Sequence, residues 1–447
     1  MEKMSHQYEV KSTERIRKKQ GIIVEANSLT AHGKKVSMSC KMNLVDQKAN
    51  DSVKKLYAYL EAVGQTECVL YGHQNDTWNK AGNQKLSNSD TKDVTGSIAA
   101  VIGMDALALV GNECPGNQGK KKIASNQERI KACAKHTKEV MKEGAIITLS
   151  AHMPNYRVMA QRSENQKNSE GFLDWKTANF FSKGNEIDGS WTTEKGMVTK
   201  VMPDGELNYI FTAYLDMIAA YLTEVGEEVP VLFRPLHENT GSWFWWGAEF
   251  CTEEEYKKLY QYIVKYLRDE KNLHNVLYVY SPGSENQTVS EFEERYPGDV
   301  YVDMVGFDMY HSMPKVGDHF IEDFTKQLDI VGSFANAHHK LFAVTETGVG
   351  NGDVVLLQSG NERKDWYNEI LEVVSQTKAS YFLLWANFGE KHYYTPYVAE
   401  NNNGELIGHE MLDGFIKFYN NPKSIFAKEQ GDFSKLEIKN CQSSLLY

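Results

Sequence analysis

The chain has 447 residues, 41% apolar and 24% charged, with 49 Lys and Arg against 60 Asp and Glu for a net charge of −11. That composition excludes a mostly disordered chain, and the length allows a large core. The diffuse acidic balance argues against a nucleic-acid partner, which needs clustered Lys and Arg, and no apolar run reaches the roughly 18 residues of a membrane span.

Residues 1–50 are polar and weakly patterned, with 21–25 and 36–40 as candidate short strands. The stretch reads as a short N-terminal extension or the remnant of a neighbouring domain, ahead of the main unit at 51–447. The opening residues Met1 to Gln7 lack the apolar core of a signal peptide. The compartment stays open: cytoplasmic if the chain is complete, secreted or cell-surface if a leader has been removed. The six cysteines, Cys40, Cys68, Cys114, Cys133, Cys251 and Cys441, form no C-x-x-C pair. That spacing argues against a Cys-rich metal site.

From about residue 53 short apolar runs alternate with helical patterns. The runs fall at 68–72, 99–103, 145–150, 230–236, 276–280, 301–307, 341–345 and 380–385. Several are apolar at nearly every position, as strands covered on both faces are. Between them, Thr252 to Glu255 reads as a capping box, followed by Tyr256, Leu259, Tyr260, Ile263 and Leu267 at helical spacing. A second stripe runs through Ile130, Cys133, Ala134, Val140 and Met141 to a stop at Gly144, and a third from Leu207 to Tyr221. Eight strands alternating with helices predict an α/β fold, a (β/α)8 TIM barrel. Such barrels carry their chemistry on the loops after the strands.

Reactive side chains do cluster there. His73 follows the first run, Asp105 the second and His152 the third. His237 and Glu238 follow the fourth, Asp308 and Tyr310 the sixth, Glu346 the seventh, and Trp385 with Asn387 the eighth. Cleaving an acetal takes one protonated and one ionised carboxyl, and Glu238 and Glu346, after the fourth and seventh strands, face each other across the barrel mouth. A separation of ~5–5.5 Å would mean retention and ~6.5–9.5 Å inversion. A lone loop glutamate is usually a solvated charge; a pair at opposed strand ends is harder to explain that way. Tyr310 is placed to donate to Glu346 and keep it ionised.

The run Trp243-Phe244-Trp245-Trp246 is either packing or a sugar platform. Trp243 is expected in the cleft, one of Trp245 and Trp246 in the core, and Trp385 as a second platform. Other motifs fail. His237 to Gly241 begins like a zinc-protease helix but lacks the second histidine. The glycine-rich stretch 348–353 has Asp353 where a phosphate cradle needs its third glycine, and reads as a flexible loop beside Glu346.

The block from Arg234 to Gly247, RPLHENTGSWFWWG, closely resembles the acid/base segment of glycoside hydrolase family 26, the β-mannanases. Tyr71 to Gln74, Val94 to Gly96 with Gly103 to Asp105, His152 to Asn155, Gly306 to Tyr310 and Thr345 to Gly348 resemble its other strand-end signatures, over about residues 50–425. The resemblance implies a barrel, a retaining mechanism, Glu238 as acid/base and Glu346 as nucleophile. It implies Tyr310 bonded to the nucleophile, and His237, His152, Trp243 and Trp385 around the reacting sugar with Asp308 nearby. Asp105, His73 and Asn387 join the candidate substrate contacts by their strand-end positions. No cofactor or metal is expected, and a monomer acting on β-mannan or manno-oligosaccharides is.

Two departures stand out. Ala386 replaces an arginine that many members carry after the eighth-strand tryptophan, removing a group that helps bind the next sugar on the non-reducing side. The long stretch 153–205, with Trp175, Phe180, Phe181 and Trp191, is expected to wall one end of the cleft. The reading is an endo-β-1,4-mannanase. An exo-acting mannobiose-releasing enzyme, a relative acting on β-1,3-xylan or mixed-linkage β-glucan, and a non-catalytic carbohydrate-binding barrel stay open beside it.

Overall fold

A computed structural model describes residues 14–38, 42–82, 85–111, 113–114, 125–161, 195–351, 354–400 and 403–438. The apolar runs become eight parallel strands: β1 (Val69–Gln74), β2 (Val101–Asp105), β3 (Ile146–Ala151), β4 (Val231–Pro235), β5 (Val276–Tyr280), β6 (Met304–His311), β7 (Leu341–Asn351) and β8 (Tyr381–Leu384). Each pairs with the next, and β8 returns to β1 through Tyr381 to Leu384 against Leu70 to His73, so the barrel closes. A helix follows every strand. The longest are Asn126–Lys142, Asn208–Val225, Glu253–Lys265 and Phe320–Ala337.

Local chemistry sets the helix ends. Thr252 and Glu255 form the expected capping box, and Ser125 with Glu128 forms a second. Each satisfies two N–H groups that have no partner within the helix. Gly144, two residues past the helix that ends at Lys142, has φ of 102°, a left-handed conformation that suits glycine. The helical stripes face inward: Ile210, Phe211, Tyr214, Ile218 and Tyr221 are buried against the sheet's outer side.

The polar first segment contains three short antiparallel strands, Ile23–Glu25, Ser28–Ala31 and Lys34–Ser37. Leu29 and Val36 are buried in a cluster with Leu70, Val101, Leu277 and Leu383, so this small sheet packs under the barrel's N-terminal end. Among the described residues no helix is long and apolar enough to cross a membrane.

One expectation is corrected. The start of the glycine-rich stretch continues β7 to Asn351 instead of forming a flexible loop. Gly348 and Val349 pair with Tyr310 and His311 of β6, which holds the chain extended. Trp175, Phe180, Phe181 and Trp191 lie outside the described residues, as do Cys40 and Cys441.

Candidate active site

The two glutamates reach the barrel mouth by different local devices. After β4 the chain turns sharply: Leu236 and Glu238 have φ of 53° and 52°. Left-handed backbone at two non-glycine residues is costly and persists where the surroundings impose it. Here Tyr256 Oη donates to Leu236 O at 3.0 Å, Glu238 N donates to Ser281 O at 2.8 Å, and Asn239 binds Tyr256 and Arg295 at 3.1 Å each. On β7 the register against β6 shifts between Val344 and Glu346, setting Glu346 directly beside Asp308. An irregularity of this kind re-aims a side chain at a strand end.

One oxygen each from Glu238, Asp308 and Glu346 lie within 4.8 Å of one another. Arg234, an inward residue of β4, donates to Asp308 Oδ2 and to Glu346 Oε2, both at 2.6 Å. Its single positive charge is shared between two of the three carboxyls, and burial with the Glu346 charge still raises Asp308 to about 7 against it. Tyr310 Oη donates to the other Glu346 oxygen. Asp308 also accepts from Ser281 and Thr345, each at 2.8 Å. This is the one grouping of acidic, histidine or cysteine side chains among the described residues spaced to share a cation, and Arg234 already supplies positive charge there.

The electrostatics separate the two glutamates. Burial, then the charges of Glu346 and Asp308, push Glu238 well above the usual carboxylate range, against weaker opposition from Trp243 and Arg234. Glu346, by contrast, is paired directly with the Arg234 guanidinium at 2.6 Å. Trp243 Nε1 donates to Glu238 Oε2 at 2.6 Å, fixing that carboxyl's orientation. A Cβ on Gly241 would fall 2.4 Å from the Trp243 ring, so only glycine lets the indole fold over here.

Two histidines flank the cleft as a pair, with Nε2 atoms 3.2 Å apart. Asp105 accepts from His152 Nδ1 at 2.7 Å and from Ser150 at 2.6 Å. Burial opposes charge on His152, but Asp105 outweighs it and raises the pKa. His237 is held well below its ordinary value by burial and by the positive charges of Arg234 and His152, so it is neutral and accepts from His152. The Trp385 ring lies 5.7 Å from His152 and is half-buried.

The structure therefore brings together Glu238, Glu346, Asp308, Tyr310, His152, His237, Trp243 and Trp385. Trp243 is 42% exposed, whereas Trp245 and Trp246 are both fully buried. Asp105 acts through His152 and does not face the cleft, since its oxygens already accept from Ser150, His152 and Leu107 N. His73 is not a substrate contact: it is fully buried and its Nδ1 bonds Asp76 at 2.7 Å. Asn387 is corrected for the same reason. A carboxamide has two donors and two lone pairs, and Asn387 uses all four, on Asp90, Thr395 O, Tyr394 N and Thr395 N.

Sequence reasoning missed three neighbours of the site. Arg234 carried a signal, a charge inside an apolar strand. Tyr394 and Glu113 lie in loops far from any strand end and carried none. Burial and the Asp105 charge push Glu113 up to about 7, and Asn75 donates to it at 2.5 Å.

The profile of glycosyl hydrolase family 26 matches residues 45–397. The chain belongs to glycosyl hydrolase family 26. A mannan endo-1,4-β-mannosidase of Bifidobacterium adolescentis is 34% identical over 374 residues, 81% of this chain and 34% of that one. One from Bacillus subtilis is 34% identical over 182 residues, 44% of its length. The chain thus spans between a third and a half of these curated relatives. The catalytic domain of a Bacillus sp. JAMB-750 family 26 endo-β-1,4-mannanase superposes with a TM-score of 0.71 at 31% identity, covering 87% of this chain and 95% of that one. A modular endo-β-1,4-mannanase from Cellulomonas fimi gives 0.68 at 29% identity, covering 87% and 78%. As a family 26 barrel, the chain has its reactive groups where the fold places chemistry, at the C-terminal ends of the strands.

Proposed function

We propose that the chain is a retaining endo-β-1,4-mannanase that cuts the backbone of mannan, galactomannan or glucomannan. The observation that carries the reading is the approach of the Glu238 and Glu346 oxygens to within 4.8 Å, with one carboxyl favoured protonated and the other ion-paired. That spacing suits the ~5–5.5 Å of a double displacement and leaves no room for the water an inverting enzyme holds. The substrate class comes from the mannanases that the chain resembles.

Glu346 attacks the anomeric carbon while Glu238 delivers its proton to the departing oxygen. The proton is available at neutral pH because the Glu346 charge helps keep it on Glu238. Forming the glycosyl ester removes that charge. Glu238 then falls toward an ordinary carboxylate and serves as base, taking a proton from the water that cleaves the ester. Arg234 stays paired with Asp308 through the cycle, so the returning Glu346 carboxylate meets a preset donor. Tyr310 holds the other nucleophile oxygen in position, while Trp243 orients Glu238 and offers its exposed face to a sugar ring.

Product analysis on mannan, galactomannan, glucomannan, β-1,3-xylan and mixed-linkage β-glucan tests the proposal. Mixed manno-oligosaccharides from the first minutes on mannan are expected. Mannobiose alone would mean exo action, cleavage of another polymer alone would move the substrate, and binding without cleavage would leave a carbohydrate-binding barrel. Glu238→Ala and Glu346→Ala should each remove nearly all activity, and either one within tenfold of wild type would refute the roles.

A further inference from the structure

The loop after β8 holds a tyrosine that the mechanism above does not use. Tyr394 is buried beside the nucleophile: its ring centroid lies 5.9 Å from that of Tyr310, and a Cβ on Gly348, two residues beyond Glu346, would fall 2.5 Å from its Cδ1. The loop around it is fastened from several sides. Asn387 accepts from the N–H groups of Tyr394 and Thr395 at 2.8 and 3.0 Å. Tyr367 Oη donates to Tyr394 O at 3.0 Å. Asn387 is itself anchored to Asp90, which also takes the N–H groups of Ala81 and Gly82 at 2.6 and 2.9 Å. A buried carboxamide with every position satisfied, on a buried aspartate likewise satisfied, is an expensive way to hold a plain connecting loop.

The end of the side chain is different. Among the described residues the Tyr394 hydroxyl makes no hydrogen bond, and it is not among the polar atoms sealed from solvent. It feels the charges of both Glu346 and Glu238, which add to burial in raising its pKa. A phenol in that position stays protonated and is a donor. The neighbouring Tyr310 hydroxyl is already committed to Glu346.

Resting on the mannanase reading, we infer that Tyr394 is a further substrate-binding residue, whose hydroxyl donates to a ring hydroxyl of the sugar attacked by Glu346, and that Asn387 is its positioning residue. Asn387 thus returns to the account in an indirect role. Its amide holds the backbone from which the tyrosine reaches the sugar. An unspent donor beside the nucleophile discriminates among sugars, because a substrate lacking the matching hydroxyl leaves it unpaired.

The test compares wild type, Tyr394→Phe and Asn387→Ala on an aryl β-mannoside and on its 2-, 3- and 6-deoxy analogues, with melting curves for each protein. Tyr394→Phe should melt like wild type and lose about 10- to 100-fold in kcat/KM on the parent sugar. One deoxy analogue should cost wild type a similar factor and cost Tyr394→Phe less than about threefold. Asn387→Ala should show the same pattern, and the double variant should be no worse than the poorer single one. Activity of Tyr394→Phe within twofold of wild type overturns the inference, as does a loss that leaves its penalties on all three analogues equal to those of wild type. If Asn387→Ala fails to fold, Tyr394→Phe decides alone. A wild type inactive on both mannan and the aryl mannoside would overturn the mannanase reading and this inference with it. Activity on mannan with an indifferent Tyr394→Phe overturns only the inference.

Discussion

Replacing Arg234 with methionine removes the guanidinium and keeps an unbranched apolar stem. The native group sits 2.6 Å from an oxygen of Asp308 and another of Glu346, and the side chain is 3% exposed. Without it two acids are left buried with no counter-charge. Breaking a buried pair from one side costs about 3–5 kcal/mol, which for a chain of 447 residues is roughly 3–5 °C in Tm. The cost has a definite pH dependence. Burial already raises Asp308 to about 7 with Arg234 beside it, and in the variant the folded protein holds that proton to higher pH still. The variant therefore goes on losing stability as pH rises past about 7, where wild type has stopped. Melting curves at pH 9 and pH 5 should show the larger deficit at the higher pH and a smaller one at the lower. In parallel, kcat/KM at neutral pH should drop by about 10²–10³-fold, since the nucleophile loses the donor that orients it and a developing charge loses its preset partner. A deficit below 1 °C at pH 9, or one equal at both pH values, would refute the reasoning about what Arg234 does.

Three further outcomes follow from the same electrostatics. Glu238→Gln should raise Tm at neutral pH: a carboxyl with a raised folded pKa loses stability as pH climbs from the unfolded value through the folded one, and glutamine does not; the gain should vanish near pH 4. Glu346→Gln removes one of the charges that raise Glu238, so carbon-13 NMR of the Glu238 carboxyl should show it titrating at lower pH than in wild type. Trp243→Phe deletes the 2.6 Å hydrogen bond that favours the charged form of Glu238, so the alkaline limb of kcat/KM should move to higher pH while kcat/KM itself falls about tenfold or more.

The barrel was legible because eight strands with both faces covered leave apolar runs, and helices with one covered face leave stripes. The glutamates were legible because strand ends in such a barrel converge, so an acid after the fourth run and one after the seventh meet. What escaped the sequence depends on which way a side chain turns. His73 follows β1 like a site residue, yet it points into packing and binds Asp76. Asn387 follows β8, yet it spends every hydrogen bond on its own loop. The pairing of Gly348 and Val349 with β6 turned an apparent flexible loop into strand, a long-range contact that local glycine content hides. Arg234 could have been read: an inward charge in an apolar strand must meet carboxylates, and Asp308 and Glu346 stand at neighbouring ends.

The most direct measurement is the anomeric configuration of the first product. Proton NMR during the first seconds of manno-oligosaccharide cleavage, before mutarotation scrambles the reducing end, reports whether one displacement occurs or two. Two carboxyls this close, one attacking and one supplying the proton, give the β-anomer first. An α-anomer appearing first would mean that water attacks directly, and the assignment of Glu346 as a nucleophile would be wrong.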